Sequence, residues 1–232
     1  MMQKSKKYFV SSINGNDAND GLSESTAFKS LLKINELEIN AGDEILLQKG
    51  SVFENEFLHL KNGEKIVISS FGDGEKLPHI KTNGNGVWYQ DYGVELDYSG
   101  HRYKGNVSSS ILLYDVENII IKDIEISNKE EYTDAEAYSA PNKMDRTGVA
   151  AVAQNRGTLH SITLDNLFIH DVNGNVYNKH MNNGGIYITA FKPENEEKTG
   201  IARYDGVTVE NCYVKNVSRW GIAVGYVYNH DK

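Results

Sequence analysis

Asp171 follows His170 at the end of the run ITLDNLFIHDV (162–172) and opens a polar, glycine-containing stretch, VNGNVYNKHMNN, that carries Lys179 and His180. Binding groups concentrate on such stretches when a rigid scaffold presents them, which makes Asp171 a candidate catalytic carboxylate. Asn182, Asn183 and the Gly184-Gly185 pair lead from it into the strand-like IYITA. Their amides donate and accept at once, as sugar hydroxyls require. A second group lies in GNGVWYQDYGVELDYSGHRYKGN (84–106), where Trp88 and several tyrosines stand among Asp91, Asp97 and His101. Aromatic faces of that kind stack on apolar sugar faces while polar tips bond hydroxyls. Arg219, Trp220, Tyr226, Tyr228, His230 and Asp231 form a third cluster, with Asp231 a conceivable second acid. The chemistry these types would serve is glycoside hydrolysis, which needs two carboxyl groups about 5–5.5 Å apart for retention or about 6.5–9.5 Å for inversion. Each group also has a structural alternative. The amides would close a turn, the aromatic segment would pack down on the body, and His180 would sit in a solvated loop.

The elements that must position these residues repeat. IIIKDIEISN (119–128), ITLDNLFIHDV and VTVENCYVKNV (207–217) each alternate apolar and polar, then slip phase once, at Asp123, Asn166 or Asn211. Alternation with a period of two is a half-buried strand, and a one-residue slip turns the wrong face inward unless the chain bends there. Asp and Asn tolerate the left-handed backbone of such a bend. A further apolar segment precedes each copy, with steps of 38, 37 and 36 residues from Ile111 to Val149, Ile186 and Ile222. A fixed long period with three short strands per unit predicts a single all-β domain, a right-handed parallel β-helix, over residues 1–232. Within it, residues 1–50 form an entry and cap with a short helix around Phe28–Ile34 capped by Ser25 or Thr26. Residues 84–106 form an aromatic-rich loop insertion, and residues 107–232 form the regular coils. The last coil, starting at Gly221, lacks its later strands. The expectation is therefore a C-terminal continuation or a complementing subunit that finishes the site. A β-sandwich, which wants tight antiparallel hairpins, fits the long returns less well. The vertical columns are Asp123–Asn166–Asn211 and Asn128–Asp171–Asn216, an expected Asx stack with one carboxylate in each rather than a catalytic dyad.

Two segments carry a family resemblance. GNDANDGLSESTAFKSL, with INAGDEILLQKG behind it, resembles the N-terminal entry of pectate-lyase-like parallel β-helix proteins, many of which act on carbohydrates. HDVNGNVYNKHMNNGGIYI and RWGIAVGY are similar to bacterial β-helix glycoside hydrolases of the lacto-N-biosidase type, which release a disaccharide from milk-type or mucin-type oligosaccharides. The resemblance implies an oligosaccharide substrate but does not place that family's catalytic pair on this chain. A non-catalytic glycan-binding or structural β-helix, or a polysaccharide lyase, is the alternative.

Composition narrows the rest. With 24 basic against 32 acidic residues the chain is formally −8, a poor partner for nucleic acid or an anionic membrane. No apolar run approaches the ~20 residues of a membrane span, and MMQKSKKYFV has no apolar core of a secretion signal. Localisation is left open, with a secreted or cell-surface parent protein as one expectation. Cys212 alone excludes a disulfide framework. Asn14, Asn16, Asp17, Asn19 and Asp20 have the composition of a Ca²⁺ loop, but Ala18 stands where a ligand is needed. No nucleotide, GxSxG or HExxH motif appears, so no cofactor or metal is expected.

Overall fold

A computed structural model describes residues 5–95, 102–130, 143–177 and 180–228. The described residues are mostly β, arranged in two largely parallel sheets. The first sheet takes β1 (Lys7–Val10), β2 (Glu44–Gln48), β5 (Glu64–Phe71), β9 (Glu117–Asn128), β11 (Thr158–Val172) and β13 (Arg203–Glu210) in that spatial order. Also in it, β3 (Val52–Glu54) pairs with β6 (His79–Lys81), β6 with β9, and β14 (Tyr213–Val217) with β11. The second runs β4 (Leu58–Lys61), β8 (Lys104–Tyr114), β10 (Asp145–Ala153), β12 (Gly184–Ala190), β15 (Ile222–Val227). An antiparallel strand, β7 (Val87–Asp91), sits on β8.

Register follows the repeat. Ile111 pairs with Val149, Val149 with Ile186 and Ile186 with Ile222, the landmarks used to count the period. In the first sheet Tyr8, Ile45, Ile68, Ile121, Leu164 and Val209 pair in succession, one residue per strand. The first five of these are buried, and they share one core with Ile111, Val149 and Ile186 from the facing sheet. β9 and β11 alternate because one face meets the core and the other meets water. β10 and β12 are buried at every position, because a second apolar cluster that includes Trp88, Tyr92, Met181 and Phe191 packs on their other face.

The corners take the expected backbone: Asp123, Asn166 and Asn211 have φ of 59°, 48° and 53°. Asn166 Nδ2 donates to Asp123 Oδ1 at 2.7 Å, so the corners are tied between strands as well as bent. A further left-handed column, Lys65, Asn118, Ser161 and Gly206, stands one residue before the paired column Ile66, Ile119, Ile162 and Val207.

Three expectations are corrected. The N-terminal helix is Leu31–Asn35 (α1), not Phe28–Ile34, because Phe28 is held in a bridge to Val10. Neither Ser25 nor Thr26 caps it. Asp17 Oδ1 accepts from the Lys29 and Ser30 amides, and Glu56 Oε2 accepts from Leu31 N at 2.6 Å. The aromatic segment is not wholly a loop: Val87–Asp91 alternates exposed and buried, and pairs with 104–108. Finally, Asn128 pairs with Val172, not Asp171, since the register shifts between His170 and Val172.

Candidate functional site

That register shift gives Asp171 its position. An extra residue in one strand is left unpaired and its side chain is re-aimed. Asp171 has φ 51° and lines a cavity of about 220 Å³ together with Lys129, Asn173, Asn216, Val217 and Ser218. Its Oδ2 is 2.7 Å from His170 Nδ1, and Oδ1 accepts from Asn216 Nδ2. The hydrogen bond from His170 outweighs the opposing effect of burial, and with that from Asn216 it holds the carboxyl below its usual range. Asp171 is therefore ionised at neutral pH.

His170 reaches further. Its Nε2 lies 2.9 Å from Glu125 Oε1, and that oxygen is also 3.6 Å from His79 Nδ1. His79 Nε2 is 2.8 Å from Ser127 Oγ. These residues come from β6, β9 and β11 because His79 pairs with Glu125, and His170 with Ser127, on the outward face of the first sheet. Burial, only partly offset by Glu125, holds the His79 imidazole below its ordinary range. Phe168 stacks on His170 at 4.5 Å and on the exposed Tyr213 at 5.7 Å, with Lys215 Nζ 5.0 Å above the Phe168 ring. The row His79–Glu125–Phe168–Tyr213 was missed. Aligning the three sequence copies by their corners would have put Glu125, Phe168 and Tyr213 in one outward column; His79, outside those copies, had no such signal.

Arg219 and Trp220 do lie together. The Arg219 guanidinium is 5.2 Å from the indole centroid, and Arg219 Nη1 donates to the Val176 carbonyl. Trp220, 40% exposed, lines a cavity of about 410 Å³ with Tyr187, Ile222, Ala223, Val224 and Gly225. Ser218 borders the Asp171 cavity and Trp220 the larger one, so the segment 218–220 separates the two. Tyr226 lies in β15, and Asp231 falls outside the described residues.

His180, Asn182 and Asn183 are buried rather than facing a groove. Gln90 of β7 explains two of them: its Nε2 donates to the His180 carbonyl at 2.7 Å, and its Oε1 accepts from Asn182 N and Nδ2 at 2.8 and 2.6 Å. Asn183 Nδ2 donates to Asp145 Oδ1 at 3.2 Å and to the Asn175 carbonyl, and Arg102 Nη2 is 3.0 Å from Asp145 Oδ2. Trp88 is buried as well. Its Nε1 donates to Ser109 Oγ at 2.8 Å and its ring packs near Phe191 and Tyr114. A polar side chain removed from water needs such partners, and the Asn182 and Asn183 amide nitrogens and the Trp88 indole N–H find them within the chain. Gln90, Asp145 and Arg102 are the partners the sequence reading did not find.

No protein-family pattern matches the chain. It is 42% identical, over 94% of its length, to a lacto-N-biosidase of Bifidobacterium longum subsp. longum. It is 57% identical to the GH136 lacto-N-biosidase from Eubacterium ramulus, in both its native and selenomethionine crystal structures, with a TM-score of 0.91 over 97% of this chain. The chain spans 16% of the first protein and 37% of the second. Nearly its whole length is thus similar, in sequence and in backbone path, to one portion of these lacto-N-biosidases.

Proposed function

We propose that this chain is a right-handed parallel β-helix portion of a glycoside hydrolase that acts on oligosaccharides and releases a disaccharide of the lacto-N-biose type. The observation that carries the reading is the 57% identity at a TM-score of 0.91 to a lacto-N-biosidase. The parallel pairing of residues one sequence period apart supports the coil. The mechanism proposed uses two carboxyl groups. Asp171, ionised and lining a cavity, suits the role of base or nucleophile, since an acid at neutral pH needs a raised pKa instead. Asp231 is proposed as the second carboxyl on sequence alone. Trp220, with Arg219 against its ring, would hold sugar at the 410 Å³ cavity, which falls in the ~300–1,000 Å³ range of small-molecule sites, and Tyr226 is proposed as a further sugar contact on sequence alone. His180, Asn182, Asn183 and Trp88 would act from behind, by fixing the wall through Gln90, Asp145 and Ser109.

Because the chain matches only part of its relatives, the test is a chimera. This chain replaces the matching portion of the Eubacterium ramulus enzyme, and release of p-nitrophenol from a panel of p-nitrophenyl disaccharides, lacto-N-bioside included, is measured. The expected result is an active chimera whose Asp171→Asn variant loses about 10²–10⁴-fold in kcat. A folded chimera that binds sugar without turnover would favour the glycan-binding alternative. An active one indifferent to Asp171→Asn would remove Asp171 from the mechanism.

A further inference from the structure

His79, Glu125 and His170 each turn one ligand atom toward the others, and those three atoms lie within 4.8 Å of one another. We propose that they bind one divalent first-row transition ion, such as Zn²⁺, across β6, β9 and β11. This inference is independent of the hydrolytic reading.

Two imidazoles and one carboxylate are a donor set that such ions accept, with Zn–N and Zn–O bonds of about 2.0–2.2 Å. Tetrahedral ligands at that bond length stand ~3.3 Å apart. The two distances to Glu125 Oε1, 2.9 Å from His170 Nε2 and 3.6 Å from His79 Nδ1, straddle that value. A small rotation of the two rings toward each other would complete the set.

The second argument comes from the nitrogens that face away. Metal-bound histidines usually donate their other ring N–H to a carboxylate or another acceptor, which fixes the tautomer and the ring's direction. Here His170 Nδ1 meets Asp171 Oδ2 at 2.7 Å, and His79 Nε2 meets Ser127 Oγ at 2.8 Å. With those bonds made, His170 Nε2 and His79 Nδ1 are left to point at Glu125. Phe168 stacked on His170 restrains that ring further. The side chains are only 14–27% exposed, so the site is sheltered yet within reach of solvent. Lys81, on the same strand as His79, is engaged at 2.9 Å by Glu54. Three protein ligands leave a fourth position for water or a ligand. Because the three come from strands far apart in sequence, the ion would also tie three consecutive passes of the chain together.

The experiment titrates the 232-residue chain with Zn²⁺, and in a parallel arm Fe²⁺ under anaerobic conditions, after exhaustive chelation. Stoichiometry is read by calorimetry and elemental analysis, and geometry by the visible spectrum of the Co²⁺ form. One equivalent with a tetrahedral cobalt spectrum is expected, together with a raised urea midpoint. Glu125→Gln and His170→Gln should abolish the single high-affinity equivalent. Ser127→Ala, which removes the hydroxyl that meets the outward nitrogen of His79, should weaken it by about 10- to 100-fold. Far-UV circular dichroism confirms that each variant is folded. No saturable binding, or binding equal in all variants, would overturn the assignment.

Discussion

His59 offers a sharp quantitative test of the packing. Its ring lies beside Phe57 at 4.6 Å, and Nε2 is 3.0 Å from the Ser109 carbonyl oxygen, an arrangement that uses Nε2–H as donor. Burial is the largest influence on it, opposed by the bond to Ser109 and reinforced by Lys61, and together they lower its pKa from 6.5 to about 4. The unfolded chain therefore binds a proton near pH 6.5 that the folded chain refuses until about pH 4. Between these values the unfolded state holds more protons, so stability falls as pH drops. The gap of about 2.5 pH units corresponds to about 3.4 kcal/mol when fully expressed, and to about 2 kcal/mol at pH 5. Other groups also titrate, so the comparison is with His59→Gln, which keeps a donor for Ser109 but has no proton to gain. Urea unfolding at intervals from pH 7.5 to 4 should show the wild type losing stability more steeply than the variant, by about the amounts given. The variant should be less stable by a constant amount above pH 7, from lost contact with Phe57. Parallel curves across that window would refute the reasoning.

Other substitutions probe the stacked columns and the site. Leu164→Ala, which empties a position paired on both sides by Ile121 and Val209, should cost about 2–5 kcal/mol in urea unfolding, while Ile120→Ala on the wet face of β9 should stay within about 0.5 kcal/mol. Gly148→Ala would place a methyl 2.7 Å from both the Gly185 carbonyl oxygen and Ile169 Cγ2, and should destabilise by about 1–3 kcal/mol. Cys212, whose thiol burial pushes its pKa up, should react slowly with a thiol reagent at pH 7 and rapidly once urea unfolds the chain.

The core of the fold is legible because stacked strands reuse one pattern. Ile121, Leu164 and Val209 sit at equivalent places in three quoted segments, and the pairing joins them directly. The left-handed corners at Asp123, Asn166 and Asn211 are legible for a chemical reason, since these side chains favour that backbone. The second left-handed column is hidden by the same logic. Lys65 and Ser161 carry no such preference, so the stack imposes their φ of 53° and 56° against local propensity. Short-range cues also failed at the helix, where the capping groups of α1 come from Asp17 and Glu56, distant in sequence.

The site divides along the same line. A column records what lies directly above what, and so reveals the core. A functional cluster on a sheet face uses diagonals too, and it uses residues displaced by irregularities. His170 reaches Glu125 although the register sets Glu125 against Phe168 and His170 against Ser127. Asp171 faces outward because one extra residue interrupts the ladder, and this also removes it from the column with Asn128 where the sequence placed it. A regular repeat predicts neither event. What the repeat does supply is the rigidity behind them: a strand whose inward residues are locked at Ile124, Ile126, Leu167 and Ile169 holds its outward side chains to one spacing. Loosening that inner layer should therefore disturb the outer cluster before it unfolds the protein. Ile126→Ala, beneath Glu125 and Ser127, is expected to weaken Zn²⁺ binding in a chain that remains folded by circular dichroism. Unchanged binding in that variant would show that the outer residues find their geometry without the core.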